Sequence, residues 1–193
     1  MKKLSGIIII GILVVVGIWL ITTYNGLVKK QEDVNLKWNE VQNAYQRRLD
    51  LIPNLVNTVK GGADYEQTTL QKIVEARAKA TAVQANNNLT AENYNQQSAA
   101  QDELAGAANR LIAVVENYPD LKGTAAFKSL QTQLERTELR IKIARTDFNT
   151  SVATYNSSVR GFPTKLIAGM LGFDAKEGFK SDAGADKAQE IKF

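Results

Sequence analysis

The chain is 193 residues long, 44% hydrophobic and 7% aromatic, and contains neither histidine nor cysteine. That length suits one domain able to bury a core unaided, and the two missing residue types exclude disulfides, Cys/His zinc sites, haem with a His or Cys axial ligand, cysteine nucleophiles and Ser-His-Asp triads. Basic residues outnumber acidic ones 24 to 20, but Lys2 and Lys3 supply half of that excess and the other charges alternate in sign with no basic block among aromatics, which describes solvated helix faces rather than a surface for nucleic acid.

Residues 4–28 carry no charge, and residues 4–23 are dominated by Ile, Val and Leu. As a helix, such a run spans roughly 30 Å, the thickness of a bilayer's hydrocarbon core. A basic pair before an apolar run also describes a signal peptide. This run exceeds the usual ~7–15 residues, however, and no Ala-x-Ala site follows Trp19, so a retained anchor is expected. Leu4 and Ile12 lie within it, while Trp19 and Tyr24, followed by Lys29 and Lys30, have the character of interfacial residues. The expected partner is therefore a lipid bilayer. Lysines flank the span almost evenly, and the uncleaved N-terminal pair favours an inside N-terminus with the long domain exported.

Beyond the anchor, Ala, Gln, Glu, Leu, Lys and Arg abound, and Gly61, Gly62, Gly106, Gly123, Pro53 and Pro119 are the interruptions up to Arg160. Such composition favours helix. The first predicted helix continues from the anchor with Val34, Trp38, Val41, Tyr45, Ile52, Leu55 and Val59 on one stripe. Pro53 falls inside that stripe, so either the helix kinks there or Asp50 caps a fresh start with Pro53 in its first turn; both readings predict a bend. A second helix, about 64–85, carries Leu70, Ile73, Val74 and a run of alanines, and stops at the polar turn Asn86-Asn87-Asn88. Thr90, three residues ahead of Asn93, is a weak start signal for a third helix bearing Leu104, Ala107, Leu111, Val114 and Tyr118 and ended by Pro119. The fourth, about 124–160, is the most regular, with Phe127, Leu130, Leu134, Ile141, Ala144, Phe148, Val152, Tyr155 and Val159 in heptad-like order.

Short connections make neighbouring helices antiparallel, so the prediction is all-α: an N-terminal transmembrane helix, then an antiparallel up-and-down four-helix bundle with long first and last helices. The fourth helix then returns toward the bilayer and delivers residues 162–173, an unusually apolar stretch. It either caps the lower end of the bundle or lies in the headgroup interface. Residues 174–193 are polar and aperiodic, predicting a mobile tail. The expected boundaries are 1–3 (basic terminus), 4–24 (anchor), 25–161 (bundle), 162–173 (membrane-proximal segment) and 174–193 (tail).

Several of these residues together resemble the LemA family of bacterial membrane-anchored helical proteins. They are Tyr24-Asn25-Gly26-Leu27-Val28 after the anchor, Trp38, the stretch Arg48-Leu49-Asp50-Leu51-Ile52-Pro53-Asn54-Leu55-Val56, Tyr118-Pro119-Asp120-Leu121-Lys122, and later Phe148-Asn149, Tyr155-Asn156, Phe162-Pro163 and Gly172-Phe173. The resemblance covers roughly residues 1–173. It departs at Tyr65, where the family often has a histidine before the glutamate. It implies a single-pass protein of the bacterial inner membrane, a four-helix bundle and no established enzymatic activity, and little about mechanism.

Arg47, Arg48, Asp50, Pro53 and Asn54, with Arg77 and Arg145 on other helices, form the candidate interaction surface. For Asp50, Pro53 and Asn54 the bland reading is capping of backbone groups freed at the proline; the functional one is a contact surface. The arginines are expected to make exposed ion pairs that serve specificity more than stability. Glu135, Glu138 and Asp147 are the densest carboxylates, and Glu138 with Lys142 reads as a helix i,i+4 pair. No catalytic residue, metal site or cofactor is expected. The function that fits is a non-enzymatic structural or interaction protein of the cell envelope that self-associates and organises or remodels membrane, with the charge-poor faces around 76–85 and 93–108 as packing surfaces. The alternatives are a monomeric adaptor for an envelope protein partner and, more remotely, a carboxylate-based enzyme or sensor.

Overall fold

The computed structural model describes residues 2–60, 67–86 and 90–179, with side chains from residue 6 onward. Every regular element among them is helical: α1 (Lys2–Lys60), α2 (Gln67–Gln84), α3 (Ala91–Val115), α4 (Pro119–Lys122) and α5 (Ala125–Arg160), followed by single 3-10 turns at Thr164–Leu166 and Gly169–Leu171. The all-α expectation is correct. At 1.5 Å per residue α1 is roughly 90 Å long and α5 about 54 Å, against shorter α2 and α3. Anchor and first bundle helix are thus one rod with no break at the membrane boundary. Thr90 and Thr124 cap α3 and α5, each hydroxyl accepting from the backbone N–H three residues on, at 3.2 Å. Pro119 does more than end α3: at the first position of α4 it begins an extra turn whose Leu121 is buried.

Cross-helix partners fix the directions. Moving down α1 from Arg48 through Asp33 to Lys30, the partners on α5 climb from Glu138 through Ser151 to Ser158, so the two run antiparallel. Arg77 and Gln84 of α2 reach Leu49 and Gln42 of α1, again antiparallel, while Gln97 and Gln101 of α3 meet Gln42 and Arg48 in parallel order. This is the up-down-up-down arrangement.

The core has two parts. The half farther from the anchor is mainly aliphatic, with Leu49, Ile52, Leu55, Ile73, Leu104, Leu111 and Leu134 buried together from four helices. The half nearer the anchor is rich in aromatics: Trp38, Tyr45, Tyr94, Phe148 and Tyr155 join Leu27, Val34 and Val159. Arg48, Gln101 and Glu138 meet at the level between them.

Three expectations are corrected. Residues 174–179 are not a mobile tail: Phe179 is buried, with ring centroids 5.4 Å from Phe148 and 5.9 Å from both Trp38 and Tyr94. The physical reason is length. The α2–α3 hairpin ends near Trp38, which Tyr94 of α3 meets at 5.1 Å, and beyond that end α1 and α5 run on as a pair, so the aromatic groove there needs a cover. The rest of the expected tail, 180–193, lies outside the described residues, as do the Gly61-Gly62 connection, Tyr65 and part of the Asn86-Asn88 turn. Second, Asp50 caps no fresh start, because α1 passes through Pro53 unbroken. Third, the alanine-rich and Gln-rich stretches expected to pack between copies are used in part inside the bundle, where Ala76, Ala80, Ala100, Ala108, Gln97 and Gln101 are buried, while Ala78, Ala82 and Ala99 stay exposed. Val74 of the predicted α2 stripe is instead exposed.

Candidate functional site

The anchor presents its apolar side chains outward. Ile7 to Ile10, Ile12 to Val16, Ile18 and Ile21 are all largely exposed, and the stretch is long and apolar enough to cross a membrane. Near its end the Thr22 hydroxyl donates to the carbonyls of Ile18 and Trp19 (3.0 and 2.9 Å), so that polar group needs no water. Trp19 is half-buried, Tyr24 is exposed, and the side chain of Leu4 lies outside the described residues. Burial begins at Leu27, two turns beyond Ile21.

The candidate arginines do not form one exposed surface. Arg48 is 2% exposed: its Nε donates to Glu138 Oε1 at 2.8 Å, Nη2 donates to the other carboxylate oxygen, and Nη1 donates to the carbonyl and side-chain oxygens of Gln101 at 2.9 and 3.1 Å. A planar guanidinium is suited to this fork, and the pair ties α1, α3 and α5 into one register. The expected exposed pair is therefore corrected to one whose arginine is buried while its carboxylate stays 45% exposed, and Glu138 belongs to Arg48 rather than to Lys142. Arg145 links α5 to α3 through Ser98 and, at 3.5 Å, Asp102, and its guanidinium lies 4.9 Å from the centre of the Phe179 ring. Arg47 is exposed and donates to Gln133 at 3.0 Å.

Pro53 explains Arg77. A proline inside a helix has no N–H for the carbonyl four residues back, and its ring crowds that carbonyl. Here that carbonyl belongs to Leu49, and the Arg77 Nε donates to it at 3.0 Å. A group orphaned on α1 thus becomes the docking point for α2. Asp50, by contrast, accepts from Gln46 one turn earlier (2.8 Å), and Asn54 is exposed.

Sequence reasoning missed the clasp that holds the C-terminal segment. Asn149 accepts from the Phe179 N–H (2.8 Å) and donates to its carbonyl (3.3 Å), while Asn156 does the same with Lys176 (2.8 and 2.7 Å). Each amide stands in for a neighbouring strand. Gly178 is required beside the first clasp, because a β-carbon there would lie 2.5 Å from Asn149 Oδ1. A signal was present: Phe148-Asn149 and Tyr155-Asn156 repeat an aromatic–Asn pair at a spacing of seven. The aromatic enters the core while the amide faces the covering segment.

The Tyr45 hydroxyl is fully buried without a hydrogen bond of ordinary geometry. Burial pushes its phenol up to about 12, against the opposing fields of Arg145 and Arg48 and a weak contact to Ser98. The three candidate carboxylates have separate partners: Glu138 is held by Arg48, Glu135 accepts from Gln131, and Asp147 lines an open groove of about 350 Å³ between α1 and α5 with Glu40, Arg47, Arg140 and Ile143.

The family model described as "LemA family" matches residues 37–193. Magnetosome protein MamQ 2 of Paramagnetospirillum magneticum and magnetosome protein MamQ of Magnetospirillum gryphiswaldense are each 26% identical to this chain, over 86% of its length and 68% of theirs. Protein LemA of Metamycoplasma hominis is also 26% identical, over 76% of this chain and 64% of its own.

Proposed function

We propose, for a chain that belongs to the LemA family, that it is a non-enzymatic structural protein whose bundle is held upright on the bacterial inner membrane and associates laterally with copies of itself to organise that membrane. The chain is a membrane-associated helical protein. The observation that carries the further step is the continuity of α1 from the exposed apolar stretch into the buried core. With no flexible linker, any lateral contact between bundles acts directly on the orientation of the anchors. Export of the bundle is the orientation that the lysine pair ahead of a retained anchor favours.

With much of the alanine-rich faces enclosed, the surface that best suits a second copy is the α1–α5 face. Ile143 is exposed there, flanked by Arg47 and Arg140 and by Glu40 and Asp147, and Leu139, one turn earlier on α5, is exposed too. A patch carrying both signs around an apolar centre can pair with itself. The relatives' names, LemA and magnetosome protein MamQ, describe no reaction, which accords with the non-enzymatic reading.

The test is the mass and shape of the full-length protein in mild detergent and in lipid nanodiscs. Regular multiples of the 21.2 kDa chain, lost on Ile143→Glu with helicity retained, are expected. A monomer throughout would refute self-association and leave a monomeric adaptor, for which cross-linking to an envelope protein in cells becomes the measurement.

A further inference from the structure

Residues 161–173 form a compact cap at the level where α1 leaves its apolar stretch. The cap divides sharply into two faces. Ala168 and Phe173 are buried, and the Phe173 ring meets Tyr24 edge-on at 5.5 Å, which fixes the cap against the end of the anchor. Opposite them Phe162 and Met170 are 86% and 87% exposed, and Leu166 is exposed as well. An aqueous surface leaves such side chains in water at a free-energy cost, and three of them within nine residues of one cap call for an occupant.

The backbone makes the same distinction. The N–H groups of Lys165, Leu166, Ile167, Ala168, Leu171, Gly172 and Phe173 all donate to carbonyls within the cap. Gly172 is left-handed (φ 80°), and the Phe173 N–H reaches the Ala168 carbonyl at 2.9 Å. That turn, which a side chain at 172 would strain, returns Phe173 onto Tyr24. These seven amides, satisfied internally, can leave water without being orphaned. The charges at this level also have a preferred sign: Lys29, Arg160 and Lys165 are exposed and Lys30 is half-buried, against Asp174, with Glu32 the next carboxylate along α1.

We infer that the cap is a second membrane contact, with Phe162, Leu166 and Met170 inserted at the headgroup–acyl boundary of the leaflet from which α1 emerges, and Arg160, Lys165 and Lys29 on anionic headgroups. The Phe173–Tyr24 contact holds the cap at the end of the anchor, and the basic rim complements anionic lipid. The inference rests on α1 crossing the bilayer. One pass and one interfacial cap together fix the tilt of the rod, which a lone helix leaves free.

The absence of cysteine makes single-site labelling direct. Full-length Met170→Cys, Ile12→Cys and Ser129→Cys would each carry an environment-sensitive fluorophore. They would be reconstituted into phosphatidylcholine/phosphatidylglycerol vesicles containing lipids spin-labelled near the headgroup or deep in the acyl chain. The expected result is blue-shifted emission at 170 quenched by the shallow label, quenching at 12 by the deep label, and neither at 129. Solvent-like emission at 170 with deep quenching at 12 overturns the cap inference alone. Blue-shifted emission at 170 that no lipid quenches also overturns it, by showing that protein covers the patch. Absence of deep quenching at 12 overturns the crossing of α1, whatever happens at 170.

Discussion

The contact between Arg77 and the Leu49 carbonyl exists because Pro53 leaves that carbonyl without its helical donor, so the two residues must be energetically coupled. A proline in a helix interior costs about 3 kcal/mol relative to alanine, and a hydrogen bond from a charged donor returns about 1.5–3 kcal/mol. Arg77→Met keeps most of the aliphatic stem and removes the Nε–H that lies 3.0 Å from Leu49 O; the expected loss is about 2 kcal/mol. In a Pro53→Ala background the new N–H serves the same carbonyl, and the loss on Arg77→Met should fall to about 1 kcal/mol or less, a coupling of about 1 kcal/mol. Pro53→Ala alone should stabilise α1 by about 1–2 kcal/mol, part of the gain being offset by greater freedom of the unfolded chain. The assay is urea unfolding of the full-length protein in detergent, followed by helical circular dichroism and by Trp38 emission in a Trp19→Phe background. Strictly additive effects, or a neutral Arg77→Met, would refute the argument and return Arg77 to an ordinary half-buried surface residue.

Three further outcomes are expected. Arg48→Leu should destabilise by about 1–3 kcal/mol because the buried Gln101 oxygens lose their donor while the half-exposed Glu138 returns to water, and Arg48→Lys should recover little, since an ammonium cannot make the fork; chemical denaturation of the two variants decides this. Phe179→Ala should lower stability by about 3 kcal/mol if the C-terminal segment is part of the core, and hydrogen exchange should localise the loosening to Trp38, Tyr94 and Phe148, whereas a mobile tail predicts no change in either. The Tyr45 phenol, raised to about 12 from near 10, contributes stability that is intact below pH 10 and is lost as the pH rises toward 12. The full loss is about 2–3 kcal/mol. Tyr45→Phe should remove that slope from the pH dependence of Tm, and equal slopes in both proteins would show that the hydroxyl reaches water.

The sequence by itself determined the elements that depend on neighbours along the chain. A charge-free apolar run, three- and four-residue apolar spacing and threonine caps are local properties, and α1, α3 and α5 lie where they predict, with Trp38, Tyr45 and Phe148 in the core. Direction followed too, because short connections leave little choice. Tertiary structure decided which polar groups found each other. Nothing within a turn of Arg48 shows that it would be buried against Glu138, 90 positions away, and the Leu49 carbonyl freed by Pro53 has no partner until α2 arrives. The C-terminal segment is the clearest case. Its polarity and missing period describe a chain that forms no structure alone, yet Phe179 fills a groove lined by Trp38, Tyr94 and Phe148 at the end of the shorter α2–α3 hairpin. Helix lengths are written locally, but the uncovered surface they leave, and the segment that covers it, are settled only when the rods are laid side by side.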